Sequence, residues 1–267
     1  MSALTSIIDR SISGSFSCKV FKIGDYAFNS CNSLTEVSFP NVISIGSRAF
    51  NSCSNLTSAS FPNAISIGSR AFQSCSSLTE VSFPNATSIG TQAFESCSGL
   101  TSIPFPNAVS ISRGAFYFCS GLTSISFPNV ISIDSAAFYS CSKLAEVSFP
   151  NATSIGTNAF YVCGNLTSVA FPKATSIGSN AFASCASLTE ASFPNATSIS
   201  GNAFSYCRNL TTIYVGTNTS IVCALSNTSA FNSCTGLTNI YVPASLVSSY
   251  KSATNWSSYA DRIKAAP

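Results

Sequence analysis

LTEVSFPNATSIGTQAFESCS, residues 78–98, decides the fold, because the chain repeats this stretch with small changes over most of its length. Its Phe-Pro pair and its Ala-Phe-x-x-Cys both recur at an interval of 22 residues. The Phe-Pro phenylalanines are Phe39, Phe61, Phe83, Phe105, Phe127, Phe149, Phe171 and Phe193. The cysteines are Cys31, Cys53, Cys75, Cys97, Cys119, Cys141, Cys163, Cys185 and Cys207, with a tenth copy ending at Cys234 after five inserted residues. This period predicts a solenoid, in which each repeat packs only against its neighbours.

The pattern of apolar residues within one repeat predicts which side chains face the core. In the first complete repeat the inward residues are Leu34, Val37, Phe39, Val42, Ile45, Phe50 and Cys53. Glu36 and Ser38 alternate with them on a strand and therefore point outward. Pro40 ends the strand because proline has no N–H for a sheet. The asparagine that follows, Asn41, and its equivalents are predicted to cap backbone groups of the same turn. Residues 47–50 leave room for one or two helical turns at most.

The composition excludes several classes of function. The 267 residues contain no histidine, which removes His-dependent catalytic triads and His-containing zinc sites. The net charge of +3 is spread without a basic run, so we expect no nucleic-acid partner. No apolar run approaches the roughly 20 residues of a membrane helix, so we expect no membrane insertion. Neither a Gly-x-Ser-x-Gly elbow nor a phosphate-binding loop occurs, and we expect no cofactor and no enzyme activity.

The twelve cysteines are predicted to form a column of buried, unbridged thiols. Stacked strands lie about 4.8 Å apart with parallel side chains. A disulfide requires Cβ atoms about 3.8 Å apart on converging vectors. Metal binding is the less favoured alternative, because the sequence contains no Cys-x-x-Cys.

The two ends of the chain depart from the repeat. Residues 1–17 are expected to cap the first repeat or to attach the chain to a partner, since Leu4, Ile7, Ile8 and Ile12 have helical spacing. Residues 18–243 form the predicted solenoid, with an insertion near 216–226. Residues 244–267 are predicted to form a helical cap, in which Asn255 begins a second helix as its N-cap. The first residues lack the features of a secretory signal, so we expect no export by that route if the chain starts there.

These repeats resemble the BspA-like class of leucine-rich repeats, whose units read roughly L-x-x-I-x-I-P-x-x-V-x-x-I-G-x-x-A-F-x-x-C. The likeness extends over residues 20–243. It implies an α/β repeat fold, namely a right-handed solenoid of about ten repeats with a parallel sheet on one face and short helical or irregular turns on the other. Proteins of this family are commonly surface adhesins. The ends of the chain are similar to those of BspA-like proteins encoded by gut bacteria and by their phages or prophages.

Two sets of outward residues are candidate binding surfaces. On the strands, the carboxylates Glu36, Glu80, Glu146 and Glu190 are kept apart by hydroxylated residues, and Tyr214 and Tyr241 follow near the C-terminal end. This surface is interpreted either as a solvated face or as a platform for a polymer or protein. After the Ala-Phe pair, an otherwise polar column carries Tyr117, Tyr139 and Tyr161, with Phe118 and Tyr206 one position further. These rings are either a contact patch for a protein or glycan, or they fill gaps between repeats.

Two hypotheses for the function remain. The first is a non-enzymatic virion or tail-fibre-like protein of a bacteriophage, assembled in the host cytoplasm, that recognises a surface glycan or protein. Its N-terminal segment would bind other virion proteins. The alternative is a bacterial or protist adhesin at the cell surface or outside the cell, which binds host extracellular-matrix protein or partner cells.

Overall fold

A computed structural model describes residues 6–8 and 21–267, and in these the repeats stack into about 11 turns of a parallel solenoid. Each complete repeat has three sides. The long-strand face consists of Ser6–Ile8, Glu36–Ser38, Ser58–Ser60, Glu80–Ser82, Ser124–Ser126, Glu146–Ser148, Ser168–Ala170, Glu190–Phe193, Thr212–Val215, Asn239–Val242 and Ile263–Ala265. The short-strand face consists of Lys22–Ile23, Ser44–Ile45, Ser66–Ile67, Ser88–Ile89, Ser110–Ile111, Ser132–Ile133, Ser154–Ile155, Ser176–Ile177, Ser198–Ile199 and Ala224–Leu225. The turn face is formed by residues 46–53 and their equivalents.

All described strands pair in parallel, in a register set by the repeat. Ser58 lies opposite Glu80 on the long-strand face, and Ile133 lies opposite Ile155 on the short-strand face. The short strands form one uninterrupted sheet of ten strands. The predicted parallel sheet is confirmed, and a second, narrower sheet runs beside it because the Ser-Ile pair of each repeat stacks on the same pair of the next.

The inward residues predicted from the sequence form the core. All seven of them in the first complete repeat are 5% exposed or less. The phenylalanines stack in two columns along the solenoid, as in Phe138–Phe160, whose ring centroids are 5.3 Å apart at 8°. Rings of the two columns also meet edge to face, as in Phe72–Phe83 at 5.8 Å and 69°. Aromatic pairs in these arrangements contribute more than their buried area alone.

The cysteine column is buried as predicted, except at its beginning. Cys31 is exposed, whereas every other described cysteine is buried, and all the described cysteines are free thiols. Cys18 lies outside the described residues. Burial raises the pKa of the Cys163 thiol to about 12. Such buried thiols therefore stay protonated at neutral pH and act as small apolar side chains that also donate hydrogen bonds, whereas a hydrogen bond from Cys75 lowers the pKa of Cys53 near the start of the column.

Pro104 interrupts the long-strand face, where the repeat pattern predicts a strand in every repeat. Residues 101–105 form no strand. The N–H of Phe105 donates to the carbonyl of Ile103 in its own repeat at 3.2 Å, whereas that of Phe127 reaches Ser148 of the next repeat at 3.0 Å. Proline lacks the N–H that the sheet requires, so the ladder breaks. A second break separates Glu146–Ser148 from Ser168–Ala170, and no residue of these strands accounts for it.

The turn face is irregular, and the short helical turns predicted for residues 47–50 do not form. Backbone N–H groups there alternate between two kinds of partner. The N–H of Phe138 donates to Ala159 of the next repeat at 2.8 Å, and the N–H of Tyr139 donates to Ala136 of its own repeat at 3.2 Å. Half of the backbone N–H groups thus donate to the next repeat. In a helix the same N–H groups would donate within their own segment. Within the described residues, the one helical segment on this face is the 3₁₀ helix Thr228–Phe231 of the last repeat.

The prediction of a helix in the N-terminal segment is wrong for the part that the structure describes, and the predicted role of the asparagines holds except for the repeat to which they bond. Residues Ser6–Ile8 are a strand paired in parallel with Glu36–Ser38, and not part of a helix. The other residues of the predicted 1–17 cap lie outside the described part. The asparagines after Phe-Pro do bond to a backbone group of the turn after the strand, but in the preceding repeat, because Asn63 Nδ2 donates to the carbonyl of Pro40 at 2.6 Å. The same bond links Asn85 to Pro62, Asn107 to Pro84, Asn129 to Pro106, Asn151 to Pro128 and Asn195 to Pro172.

Helical segments cover the C-terminal end of the solenoid. They are the 3₁₀ helix Ala244–Leu246, the α-helix Val247–Ser252 and the 3₁₀ helix Trp256–Arg262. Trp256 is buried and donates from Nε1 to the carbonyl of Cys223 at 2.6 Å. This hydrogen bond joins the cap to the insertion near 216–226. Asn255 is not the predicted side-chain N-cap, because its Nδ2 donates to Leu225 at 2.7 Å. Ile263 lies in the last strand of the long-strand face and not in the helix.

Candidate binding surface on the turn face

Three tyrosines in successive repeats form a stacked column on the turn face. The ring centroids of Tyr117 and Tyr139 are 4.6 Å apart at 23°, and those of Tyr139 and Tyr161 are 4.9 Å apart at 25°. Phe118 meets Tyr117 edge-on at 4.6 Å. All three tyrosines are half-buried, and partial burial together with the neighbouring Tyr117 and Tyr161 phenols raises the pKa of Tyr139. The sequence-predicted aromatic column is thus a continuous surface whose rings touch.

Phe118 belongs to a second column in which the backbone conformation is unfavourable for large side chains. Its φ is 58°, and the equivalent residue of most repeats is serine, as in Ser96 and Ser140. Val162 occupies this position with φ 59°, and Tyr206 with φ 61°. Left-handed backbone is a clear outlier for a bulky or β-branched residue and costs on the order of 1–3 kcal/mol. Apolar residues therefore replace serine beside the tyrosines despite a cost to stability.

We call Tyr117, Phe118, Tyr139, Tyr161 and Val162 the aromatic patch. Phe118 is about half exposed, at 46% of its surface. Tyr206 is exposed to a similar degree but makes no ring contact with the patch among the described residues. Of the five turn-face residues predicted from the sequence, the structure brings together Tyr117, Phe118, Tyr139 and Tyr161. Tyr206 lies apart from them.

The same column continues as a polar network towards the N-terminal end. Asn51 Nδ2 donates to Gln73 at 3.0 Å, and Gln73 Nε2 donates to the carboxylate of Glu95 at 2.9 Å. Gln92 also donates to that carboxylate, at 2.6 Å. Arg70 in turn donates to Gln92 Oε1 from Nε and from one terminal nitrogen, at 3.0 and 2.8 Å. These bonds hold the Glu95 carboxylate in place at the edge of the aromatic patch.

A cleft of about 430 Å³ separates the polar network from the aromatic patch. It exists because two successive repeats carry small residues, Gly114 and Ala136, where the two preceding repeats carry Arg70 and Gln92. The Tyr117 ring forms part of its wall. Further lining residues are Arg70, Gln92, Glu95 and Arg113. The cleft thus places an aromatic ring, a carboxylate and two guanidinium groups around one space.

The candidate residues of the long-strand face remain dispersed. Glu36, Glu80, Glu146 and Glu190 are all exposed. In the strand register, Ser58 lies between Glu36 and Glu80, so their carboxylates are two repeats apart. Glu146 lies opposite Ser124, and Glu190 lies between Ser168 and Thr212. The face offers separated charges and no cluster.

Tyr214 and Tyr241 are the one aromatic pair of the long-strand face among the described residues. Their ring centroids are 5.0 Å apart at 23°, and both side chains are half-buried. They lie opposite each other on neighbouring strands. This pair is smaller than the aromatic patch.

Sequence reasoning missed Val162, Arg113, Gly114 and Ala136. Val162 had a readable signal, because it breaks a column of serines in the same way as Phe118 and Tyr206. Gly114 and Ala136 also break a column of long side chains. Their effect depends on which columns lie side by side on the turn face, and a repeat pattern alone does not give that geometry.

Comparison with known sequences places the repeats in a family. Residues 11–122 and 109–224 match the BspA type leucine rich repeat region, and the chain belongs to this family. No match to a curated protein sequence is found.

The chain is also similar to solved structures. A leucine-rich repeat protein from Eubacterium ventriosum is 18% identical, with 80% of each chain covered and a TM-score of 0.51. A leucine rich cell surface protein from Faecalibacterium prausnitzii is 24% identical, with 98% of this chain and 91% of that one covered and a TM-score of 0.40. A leucine-rich repeat protein from Bacteroides ovatus is 19% identical, with 98% and 92% covered and a TM-score of 0.36. At these identities the likeness to the Eubacterium ventriosum protein shows the fold alone.

Two further properties bear on the site. Over residues 6–8 and 21–267, no three Cys, Asp or Glu side chains gather closely enough to hold a metal ion. In the same residues, no helix has the length and apolar character required to cross a bilayer.

Proposed function

We propose that the chain is a non-enzymatic binding module that attaches to a protein or glycan surface through the aromatic patch. The observation that carries this proposal is the stack of Tyr117, Tyr139 and Tyr161, with Phe118 and Val162 beside it. Such rings combine an apolar body with a polar edge and are favoured at interfaces.

The alternative, that the tyrosines fill gaps in the packing, is less well supported. Repeats with Asn51 or Gln73 at the same position bury their core phenylalanines, Phe50 and Phe72, to 0% exposure. Phe138, beneath Tyr139, is buried to the same extent. The core is therefore closed whether or not an aromatic ring lies over it, so the rings are not needed to seal it.

Of the two settings expected from the sequence, we propose the adhesin of a cell surface. Membership of the BspA type family supports it, because proteins of this family are commonly surface adhesins. The virion or tail-fibre-like protein draws no support from the fold or the family assignment. Labelling with a specific antibody separates the two settings. We expect label on intact cells that express the protein, and label confined to virions would overturn this choice.

The binding role is tested by attachment of the purified full chain to immobilised extracellular-matrix protein and to intact bacterial cells. The test variant carries Tyr139→Asn and Tyr161→Asn, since asparagine occupies this position in other repeats, as at Asn51. The matched control carries Tyr214→Thr and Tyr241→Thr on the long-strand face. We expect the test variant to lose at least nine-tenths of its attachment with at most a small fall in melting temperature, and the control to attach normally.

Two results would overturn the proposal. One is full attachment by the Tyr139→Asn, Tyr161→Asn variant. The other is a large loss of melting temperature in that variant with attachment retained, which would show that the rings serve packing. If only the Tyr214→Thr, Tyr241→Thr control loses attachment, the chain binds through the long-strand face and not through the aromatic patch.

A further inference from the structure

We propose that the cleft beside Tyr117 binds an acidic sugar unit of a polysaccharide. This inference deepens the binding function proposed above and rests on it. It adds a ligand class and names residues outside the aromatic patch. The cleft is about 430 Å³, within the range of roughly 300–1,000 Å³ typical of small-ligand sites.

One wall of the cleft is suited to a sugar ring. Tyr117 contacts Tyr139 and Phe118, and no further ring among the described residues touches it. Tyr117 lines the cleft together with Gln92 and Glu95, and the missing side chain of Gly114 leaves space there. An aromatic side chain in a cleft wall offers an apolar surface next to its polar hydroxyl.

The opposite wall is polar and already ordered. The Glu95 carboxylate accepts hydrogen bonds from Gln73 and Gln92, and Gln92 accepts two from Arg70. These groups are fixed before a ligand arrives, so ordering them costs little on binding. Their remaining hydrogen-bonding capacity faces a space that a hydroxylated ring can occupy.

Arg113 selects for negative charge. It is exposed at the rim, and no side chain of residues 21–267 pairs with it. Arg70 and Arg113 outnumber the single carboxylate of Glu95, so the cleft carries an excess of one positive charge. A guanidinium group binds a carboxylate or sulfate through two parallel hydrogen bonds. The Tyr117 ring and the unpaired Arg113 guanidinium together favour a sugar that bears an acid group.

The test measures binding of the full chain to three polymers at low salt. Polygalacturonate supplies both an acid group and a sugar ring, dextran supplies the ring alone, and poly-glutamate supplies the charge alone. We expect binding to polygalacturonate at least tenfold tighter than to either of the others. Equal binding to poly-glutamate would overturn the sugar assignment, equal binding to dextran would overturn the role of Arg113, and no binding to any of the three would overturn the proposal.

Two variants place the polymer in the cleft. Gly114→Asn fills it and is compatible with the backbone, since Asn158 and Asn180 hold the same left-handed conformation in later repeats. Arg113→Gln removes the free guanidinium and leaves the fold untouched, and Arg208→Gln, an exposed arginine outside the cleft, is the control. We expect each test variant to weaken polygalacturonate binding at least tenfold and the control to change it less than twofold.

Unchanged polygalacturonate binding in Gly114→Asn and Arg113→Gln would show that the polymer does not bind in the cleft. Failure here and failure of the proposed function are distinguishable. If the wild type attaches to cells or matrix protein through Tyr139 and Tyr161 but binds no acidic polymer, only this inference is lost. If the wild type attaches to no surface, the proposed function is lost as well.

Discussion

The Sγ of Cys141 donates a hydrogen bond to the carbonyl oxygen of Phe116, 25 residues earlier, at 3.2 Å. The same bond recurs along the column, from Cys53 to Phe28 at 3.1 Å through to Cys234 and Phe204 at 2.9 Å. Each thiol thus both fills the core and ties its repeat to the one before. A thiolate cannot donate this bond, so the column depends on the thiols keeping their protons.

Alkaline pH should therefore unfold the solenoid steeply. Burial raises the pKa of Cys163 to about 12, and raises those of Cys97 and Cys141 well above the ordinary value. A thiol in the unfolded chain titrates near 8.5. Above that pH the unfolded chain holds fewer protons than the folded one, so stability is complete below about 8.5 and falls as pH rises, by about 1.4 kcal/mol per pH unit for each thiol.

Urea unfolding between pH 7 and pH 10.5 measures this slope. Cys163→Ala removes one titrating group, and its slope above pH 9 should be shallower than that of the wild type by up to about 1.4 kcal/mol per pH unit. Both proteins keep every other titrating side chain, so the difference in slope reports the removal of the Cys163 thiol from the column. Identical slopes would contradict a buried, protonated Cys163.

Thiol labelling should distinguish the first described cysteine from the rest. Cys31 is exposed and Cys141 is fully buried. A maleimide added to the native chain should modify Cys31 within minutes and modify Cys141 only after denaturant is added, because the buried thiol is neither accessible nor ionised. Peptide mass spectrometry reads the two sites separately. Rapid native labelling of Cys141 would show that the core opens.

Phe138 should be among the most sensitive positions of the core. Its ring is fully buried and stacks on Phe116 and Phe160, both at 5.3 Å. Phe138→Ala should lower the free energy of unfolding by about 3–5 kcal/mol through cavity formation. The adjacent Tyr139→Asn should lower it by clearly less, about 0.5–1.5 kcal/mol, because it gives up ring stacking at a half-buried position and leaves the core closed. Denaturant titration of both variants tests the contrast, and similar losses would mean that Tyr139 belongs to the core.

Pro104→Ser should repair the long-strand face. Serine restores the N–H that Pro104 lacks and matches Ser82 and Ser126 of the neighbouring repeats. One regained backbone hydrogen bond contributes about 0.5–1.5 kcal/mol. Hydrogen exchange should slow at residues 103–105, and the melting temperature should rise. Slower exchange without a rise, or a fall in melting temperature, would show that Pro104 fits a conformation the other repeats do not share.

Features that depend on a single repeat could be predicted from the sequence, and features that depend on contacts between repeats could not. Inward residues such as Val37 and Phe39 could be assigned because alternation along a strand is a local property. The bond from Asn63 to Pro40 could not, because it joins positions 23 residues apart whose spacing depends on how repeats stack. The break at Pro104 was predictable, because a proline within a strand lacks the N–H that the sheet requires.

The candidate site was predictable in part for the same reason. Tyr117, Tyr139 and Tyr161 form a column in the sequence, and stacked repeats must bring a column together. The left-handed backbone at Val162 was not readable, because most repeats place serine there and serine fits many conformations. The cleft required knowledge of the neighbouring columns, since Gly114 matters only through the side chains around it.

Val162→Ser separates a binding role of the aromatic patch from a packing role, because the left-handed backbone at Val162 places an apolar residue there at a cost to stability. Serine is the residue that Ser140 and Ser184 supply at the same left-handed position. Melting temperature and surface attachment are measured on the one variant. Relief of strain of about 1 kcal/mol should raise the melting temperature, while the loss of apolar surface should weaken attachment. A lower melting temperature with unchanged attachment would contradict the account, because Val162 would then serve packing and not binding.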